Sequence, residues 1–248
     1  NNLKYVDPVY EAYAVKSIAQ TLLARGDWDD AAAYLRRSSA SLGALGYGYD
    51  MQESLAQVNM MMMHRGDFRA LTDSLWEAEN EARRIEQPII LRWTLIFKLQ
   101  LLLRTGRGMP GEGLDCMRAV HEIPSWRTRM EEIRLCANEA LLMASQGDAA
   151  AVLERGQFIL EQSMSISGAR FYTMAPLAVM IDAALHVAAD PVLTSDQARG
   201  MATALVSRYV RLTEGIGIFT PRNRLYKGMV LAMSGQTEQA VQQWQQGL

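Results

Sequence analysis

Residues 22–35 read LLARGDWDDAAAYL, and the tripeptide Arg25-Gly26-Asp27 inside them returns as Arg65-Gly66-Asp67, followed there by Phe-Arg-Ala-Leu. A tripeptide that acted by itself would be an adhesion ligand. One that recurs as a joint marks a repeat protein, which works through the surfaces the joint connects. Spacing decides between the two. Turn signals fall at Gly26, Gly66, Gly106 and Gly147, then at the Asp190-Pro191 break and at Gly235, giving intervals of 40, 40, 41, 43 and 45 residues. Gly147 is followed by Asp148 but preceded by Gln146, so Gly-Asp is the recurring part and the arginine is incidental. A left-handed glycine ends one helix, and the aspartate is expected to cap the next by accepting from its free amides.

Between these joints there is almost no Val/Ile/Thr alternation. Apolar residues instead recur at helical spacing, as at Ala198, Met201, Ala202, Leu205, Tyr209 and Leu212. Each interval therefore holds two helices. Asp7-Pro8 and Thr220-Pro221 place a cap residue before a proline at the first helical position, and Thr194 with Gln197 has capping-box spacing. Pro88, Pro124 and the Gly215/Gly217 pair separate one helix pair from the next. The predicted helices are 8–24 and 28–44, 50–65 and 68–86, 89–105 and 113–122, 126–146 and 149–165, 171–189 and 195–214, and 222–234 and 238–247. The fold expected is an all-α solenoid of about six antiparallel helix pairs, one superhelical domain over residues 1–248.

Composition agrees with a packed domain: 248 residues, 49% of them hydrophobic. Lys and Arg number 25 against 27 Asp and Glu, a net charge of -2, which lacks the basic excess of a nucleic-acid or anionic-membrane binder. The most apolar run, MAPLAVMIDAALHVAA at 174–189, is 16 residues long and carries Asp182 and His186, so it reads as a buried helix rather than a membrane span. The two cysteines, Cys116 and Cys136, form no CxxC or zinc cluster, and a reducing, cytoplasmic setting is expected. The opening NNLKYVDPVYEAY carries no signal-peptide pattern and reads as part of a longer chain.

The joints and the residues around them resemble tetratricopeptide repeats. In the last interval Gly228 stands at the small position of the first helix, Leu231 at the aromatic one, and Ala240 with Trp244 at the Ala-x3-Phe pair. The first has Ala19, Leu22, Gly26, Trp28, Ala31 and Leu35 at the same spacings, and the second has Gly66, Phe68, Leu71 and Leu75. The intervals exceed the usual 34 residues of that repeat. In this they are similar to the C-terminal helical sensor arrays of bacterial STAND-type ATPases, LuxR-type regulators and multidomain nucleotide cyclases. The resemblance implies a regulatory sensor or docking arm of a larger signalling protein, binding a protein, a peptide or a small anionic effector in a concave groove. The alternative is a scaffold that joins protomers or domains through the solenoid ends.

Projecting the repeat register inward selects Gln57, Met60, His64, Trp93, Phe97, Arg104, Arg134, Asn138, Arg222 and Tyr226 as groove residues, an aromatic floor with arginines around it. The run Met60 to Met63 covers more than one helical turn, so it reads for the most part as core filler, with a plastic apolar binding surface as the alternative for the one or two side chains that face the groove. No catalytic, cofactor or metal residues are assigned. Gly106-Arg107-Gly108-Met109-Pro110-Gly111 satisfies GxGxxG but follows a helix-length apolar run rather than a strand, and so reads as a stretched turn. Asp182 and His186 share a helix face without a nucleophile. His64, His121 and His186 lie in three different intervals with no ligand spacing.

Overall fold

The structure, a computed structural model, describes residues 7–106, 111–124, 129–163 and 171–247. Among these there are twelve α-helices, one 3-10 turn and no strand. They group into two compact units, Asn1–Trp126 and Arg127–Leu248. The N-terminal unit contains α1 (Pro8–Arg25), α2 (Trp28–Ala44), α3 (Gly48–Arg65), α4 (Phe68–Arg84), α5 (Pro88–Thr105) and α6 (Glu112–Glu122). The C-terminal unit contains α7 (Arg129–Ser145), α8 (Ala149–Ser163), α9 (Phe171–Ala189), α10 (Asp196–Thr213), α11 (Thr220–Met233) and α12 (Thr237–Gln245). Inside each unit consecutive helices pack on one another, and first helices of successive pairs also touch, α3 on α5 and α7 on α9.

The tripeptide is a helix stop. Gly26 has φ 92°, its N–H donates to the Leu23 carbonyl, and the Asp27 N–H donates to the Leu22 carbonyl, the paired bonds of a Schellman motif. Gly66, Gly147 and Gly235 repeat both bonds. Two joints between successive pairs use the same device: Gly46, and Glu86 with φ 52° in place of glycine.

The aspartates do not act as expected. Asp27 and Asp67 make no side-chain cap bond, because both hold ψ near 65° rather than the extended ψ that turns a capping side chain toward the next amides. Asp27 Oδ2 instead forms an exposed ion pair with Arg25 Nε at 3.1 Å. Asp148 does cap, taking the Ala151 N–H at 3.0 Å, and Asp7 takes that of Val9 at 2.9 Å. α10 is capped by Ser195, not Thr194, whose hydroxyl donates to the Ala188 carbonyl. Thr220 lies inside α11, with Phe219 at the cap.

Register positions five and nine residues past Gly26 and Gly66, and five past Gly235, fill the core. Ala31, Leu35, Leu71, Leu75 and Ala240 are all buried. At Gly228 the missing side chain is needed, since a Cβ there would stand 2.2 Å from the Trp244 indole nitrogen. Met60, Met61 and Met63 are buried, and Met62 packs on the Met63, Leu71 and Leu75 cluster. The methionine run is therefore core. α3 is covered by α2, α4 and α5, and a helix walled on several sides buries apolar residues all round. α9 does the same in the C-terminal unit, where it touches α7, α8, α10 and α11. No helix among the described residues is long and apolar enough to cross a membrane.

Candidate functional site

In the N-terminal unit, the first helices of the three pairs bring aromatic and acidic side chains together. Tyr13 on α1 stands within reach of the Asp50 carboxylate on α3, with Tyr47 and Glu53 also acting on it. Partial burial, then the bond to Asp50 and its charge, push the Tyr13 phenol above its ordinary range. One turn further along, Lys16 on α1 is paired with Glu53 on α3. Tyr49 at the start of α3 lies 6.1 Å from Trp93 on α5, ring centre to ring centre, at a tilt of 54°. Tyr47 and Tyr49 remain 42% and 39% exposed, large values for rings set against neighbouring helices. Behind Trp93 and Phe97, a cavity of about 10 Å³ between α3, α4 and α5 has room for one water molecule and no ligand. Binding on this side would take place on an open face.

The ten groove candidates divide between the units. In the N-terminal unit His64, Trp93, Phe97 and Arg104 are half-buried, whereas Gln57 and Met60 are each only 6% exposed. Phe97 packs on the Met63, Leu71 and Leu75 cluster, so it is largely a core side chain. Gln57 is buried with no hydrogen-bond partner for Nε2. In the C-terminal unit Asn138 is fully buried and its Nδ2 donates to the Arg134 carbonyl at 2.7 Å, a bond within α7. Arg134 is half-buried.

Arg222 and Tyr226 form an internal lock. The Tyr226 hydroxyl, 1% exposed as a residue, lies 2.7 Å from Asp182 Oδ1, its acceptor, and 3.1 Å from the Ala178 carbonyl. Tyr209 meets the Tyr226 ring edge-on at 5.6 Å, and the Arg222 guanidinium sits 5.8 Å above that ring. Burial first, then the Asp182 carboxylate, hold Tyr226 well above the usual phenol range, with Arg222 acting the other way. Tyr209 is pushed up to about 12, again mainly by burial. Asp182 thus answers Tyr226, while His186 one turn away is exposed.

Tyr13, Tyr47, Tyr49, Asp50 and Glu53 escaped the register argument, which projects first-helix positions one helix at a time. A compositional signal for them exists: six of the nine tyrosines, Tyr5, Tyr10, Tyr13, Tyr34, Tyr47 and Tyr49, precede residue 50. The GxGxxG stretch lies mostly outside the described residues. Its flanking glycines, Gly106 and Gly111, have φ 61° and 102°. Among the described residues no group of three or more His, Cys, Asp or Glu could hold a metal ion. Comparison with protein-family models, with curated proteins and with solved structures returned no match to this chain.

Proposed function

We propose that this chain is a tetratricopeptide-like binding module, acting by docking a peptide segment of a partner rather than by chemistry. The observation that carries the reading is the open aromatic face of the N-terminal unit. Tyr13, Tyr47, Tyr49 and Trp93 come from three successive first helices, so an extended chain can touch several repeats at once. Rigid aromatic rings with polar edges supply contact area at low entropic cost. As a sensor or docking arm in a bacterial signalling protein of the cytoplasm, such a face would report the partner's presence to domains elsewhere in the parent chain.

The test is a peptide-library screen by fluorescence anisotropy on the folded protein. Bound peptides should be lost from Tyr49→Ala and Trp93→Ala, each checked for fold by circular dichroism, and kept by Arg37→Ala and Glu77→Ala on outward positions. A library without binders, or loss confined to the outward pair, would remove the reading.

A scaffold role is the second reading, favoured by the apolar end of the C-terminal unit. Trp244 and Leu225 are 36% and 47% exposed there, beside a groove of about 260 Å³, although Leu35 and Leu75, which match Trp244 in register, are covered. Its test is sedimentation of the parent chain and of Leu225→Ser/Val241→Ser. Concentration-dependent association that the double change abolishes would support assembly, and a monomer at all concentrations would not.

A further inference from the structure

Within each unit the second helix of a pair packs on the first helix that follows it, α2 on α3, α4 on α5 and α10 on α11. Among the described residues α12 is a second helix that no first helix follows, and α1 is a first helix that no second helix precedes. We infer that α1 of one copy of this chain packs on α12 of a second copy, continuing the helix packing of the repeat from molecule to molecule. This rests on the scaffold reading above and adds the surface that meets the apolar end.

The outer stripe of α1 has the register of faces that are covered elsewhere. With Gly26 and Gly66 aligned, Ala14 and Ile18 stand where α3 has Ser54 and Val58. Both of those are buried, on the stripe that runs from Met51, whose carbonyl accepts from the Ser39 hydroxyl of α2 at 3.2 Å. On α5 the residues matching Tyr10 and Ala14 are Ile90 and Thr94, again buried. On α1 the same positions are open: Tyr10 is 72% exposed, Ile18 46%, and Ala14 between them is exposed too. Glu11, beside this stripe, is already paired with Arg37 at 3.2 Å.

The complementary half lies on α12. Val241, six residues past Gly235, matches Ala32, six past Gly26. Ala32 is buried and shares a stripe with Ser39 and Gly43, the two α2 residues that meet Met51 of α3. Val241 is exposed, and with Leu225 and Trp244 it lines an open groove of about 260 Å³. Small-molecule pockets run to roughly 300–1,000 Å³, so this groove suits one large side chain better than a ligand. Tyr10 supplies that side chain, and Gln245 on the groove wall supplies an amide for its hydroxyl. None of these side chains is charged, so bringing the two faces together desolvates no ion. Because the faces differ, the contact is heterologous and association extends beyond two copies.

The experiment is sedimentation of the 248-residue chain. A helix-on-helix contact falls below the roughly 1,200 Å² of stable interfaces, so the range runs from about 10 μM to 1 mM. Species larger than a dimer should grow with concentration. Tyr10→Ser/Ile18→Ser on α1 and Leu225→Ser/Val241→Ser at α12, all at exposed positions and checked for fold by circular dichroism, should each weaken association about tenfold or more. Mixed one to one, the two variants should form a dimer and nothing larger, because each supplies the face that the other has lost. Trp76→Ser, at an exposed aromatic of α4, should change association less than about twofold. An equal loss there would mean unspecific apolar adhesion and would overturn the site. Association that survives Tyr10→Ser/Ile18→Ser but not Leu225→Ser/Val241→Ser, or a mixture that stays monomeric, would overturn the pairing of α1 with α12 while leaving the scaffold reading standing. A monomer at every concentration would bring down both.

Discussion

The Tyr226 hydroxyl donates to Asp182 Oδ1 at 2.7 Å, joining α11 to α9 across the interior of the C-terminal unit. A hydrogen bond to a charged acceptor contributes about 1.5–3 kcal/mol, so Tyr226→Phe should destabilise the chain by an amount in that range in urea unfolding. The same lock sets an alkaline limit. Tyr209, pushed up to about 12, and Tyr226, held well above the phenol range, keep their protons in the folded state at pH values where free phenols, with pKa near 10, have lost them. Their stabilisation is complete below about pH 10 and is lost as pH rises through the folded values. Thermal melts should therefore fall from about pH 10 upward, and less steeply in Tyr226→Phe. A pH-independent melt over that span would mean that the buried phenols are not coupled to folding.

Two helical glycines predict opposite outcomes from the same substitution. A Cβ on Gly228 would enter the Trp244 indole at 2.2 Å, so Gly228→Ala should push Trp244 out and cost about 1–3 kcal/mol. The indole N–H, which donates to the Leu225 carbonyl, would lose that bond as well. Gly200 in α10 has nothing within 4 Å of the added methyl, and Gly200→Ala should stabilise by about 0.5–1 kcal/mol through helix propensity. Denaturant midpoints and tryptophan emission of the two variants measure both effects.

Much of this architecture is legible in the sequence because its punctuation is local. Gly26, Gly66 and Gly147 end helices through their own backbone freedom, and α2 and α9 fall at the residues that periodicity assigns, 28–44 and 171–189. Local chemistry fails where a partner decides. Asp27 carries a capper's side chain, yet its ψ of 69° and the neighbouring Arg25 take that side chain away from the amides. Glu86 carries no turn signal at all, yet it takes a left-handed φ with the Glu86 and Gln87 N–H groups donating to the Arg83 and Ala82 carbonyls. The candidate site is the least legible part. Asn138 and Tyr226 sit at inward register positions but are sealed by neighbouring helices, while Tyr13 and Tyr49 acquire their roles from Asp50 and Trp93, distant in sequence.

Both thiols are predicted to be inert. Burial, followed by the Glu139 charge, pushes Cys136 up to about 11, and burial also raises Cys116. Only the thiolate reacts appreciably, so alkylation near neutral pH should be much slower than for an unfolded control and should speed up at denaturing urea concentrations. Rapid labelling of Cys136 in the folded chain would show that α7 opens toward α8 more readily than its packing implies.

The joints give the most direct test of the repeat. Glu86 holds φ 52° with a side chain that resists it, and a left-handed conformation costs an ordinary residue about 1–2 kcal/mol. Glu86→Gly removes that cost while adding disorder to the unfolded chain, so a net gain of about 0.5–1 kcal/mol is expected. Gly26→Ala and Gly66→Ala impose the same strain where none exists and should each cost about 1 kcal/mol. The arginines beside them make exposed ion pairs, Arg25 with Asp27 and Arg65 with Asp29 at 2.6 Å, the second linking successive joints. Exposed pairs contribute little. Arg25→Ala and Arg65→Ala should melt close to the parent, most of all at high salt. Opposite signs for Glu86→Gly and Gly66→Ala, with small effects at both arginines, would establish that the tripeptide serves as a turn. Tolerance at the glycines together with large losses at the arginines would return the question to the tripeptide's side chains.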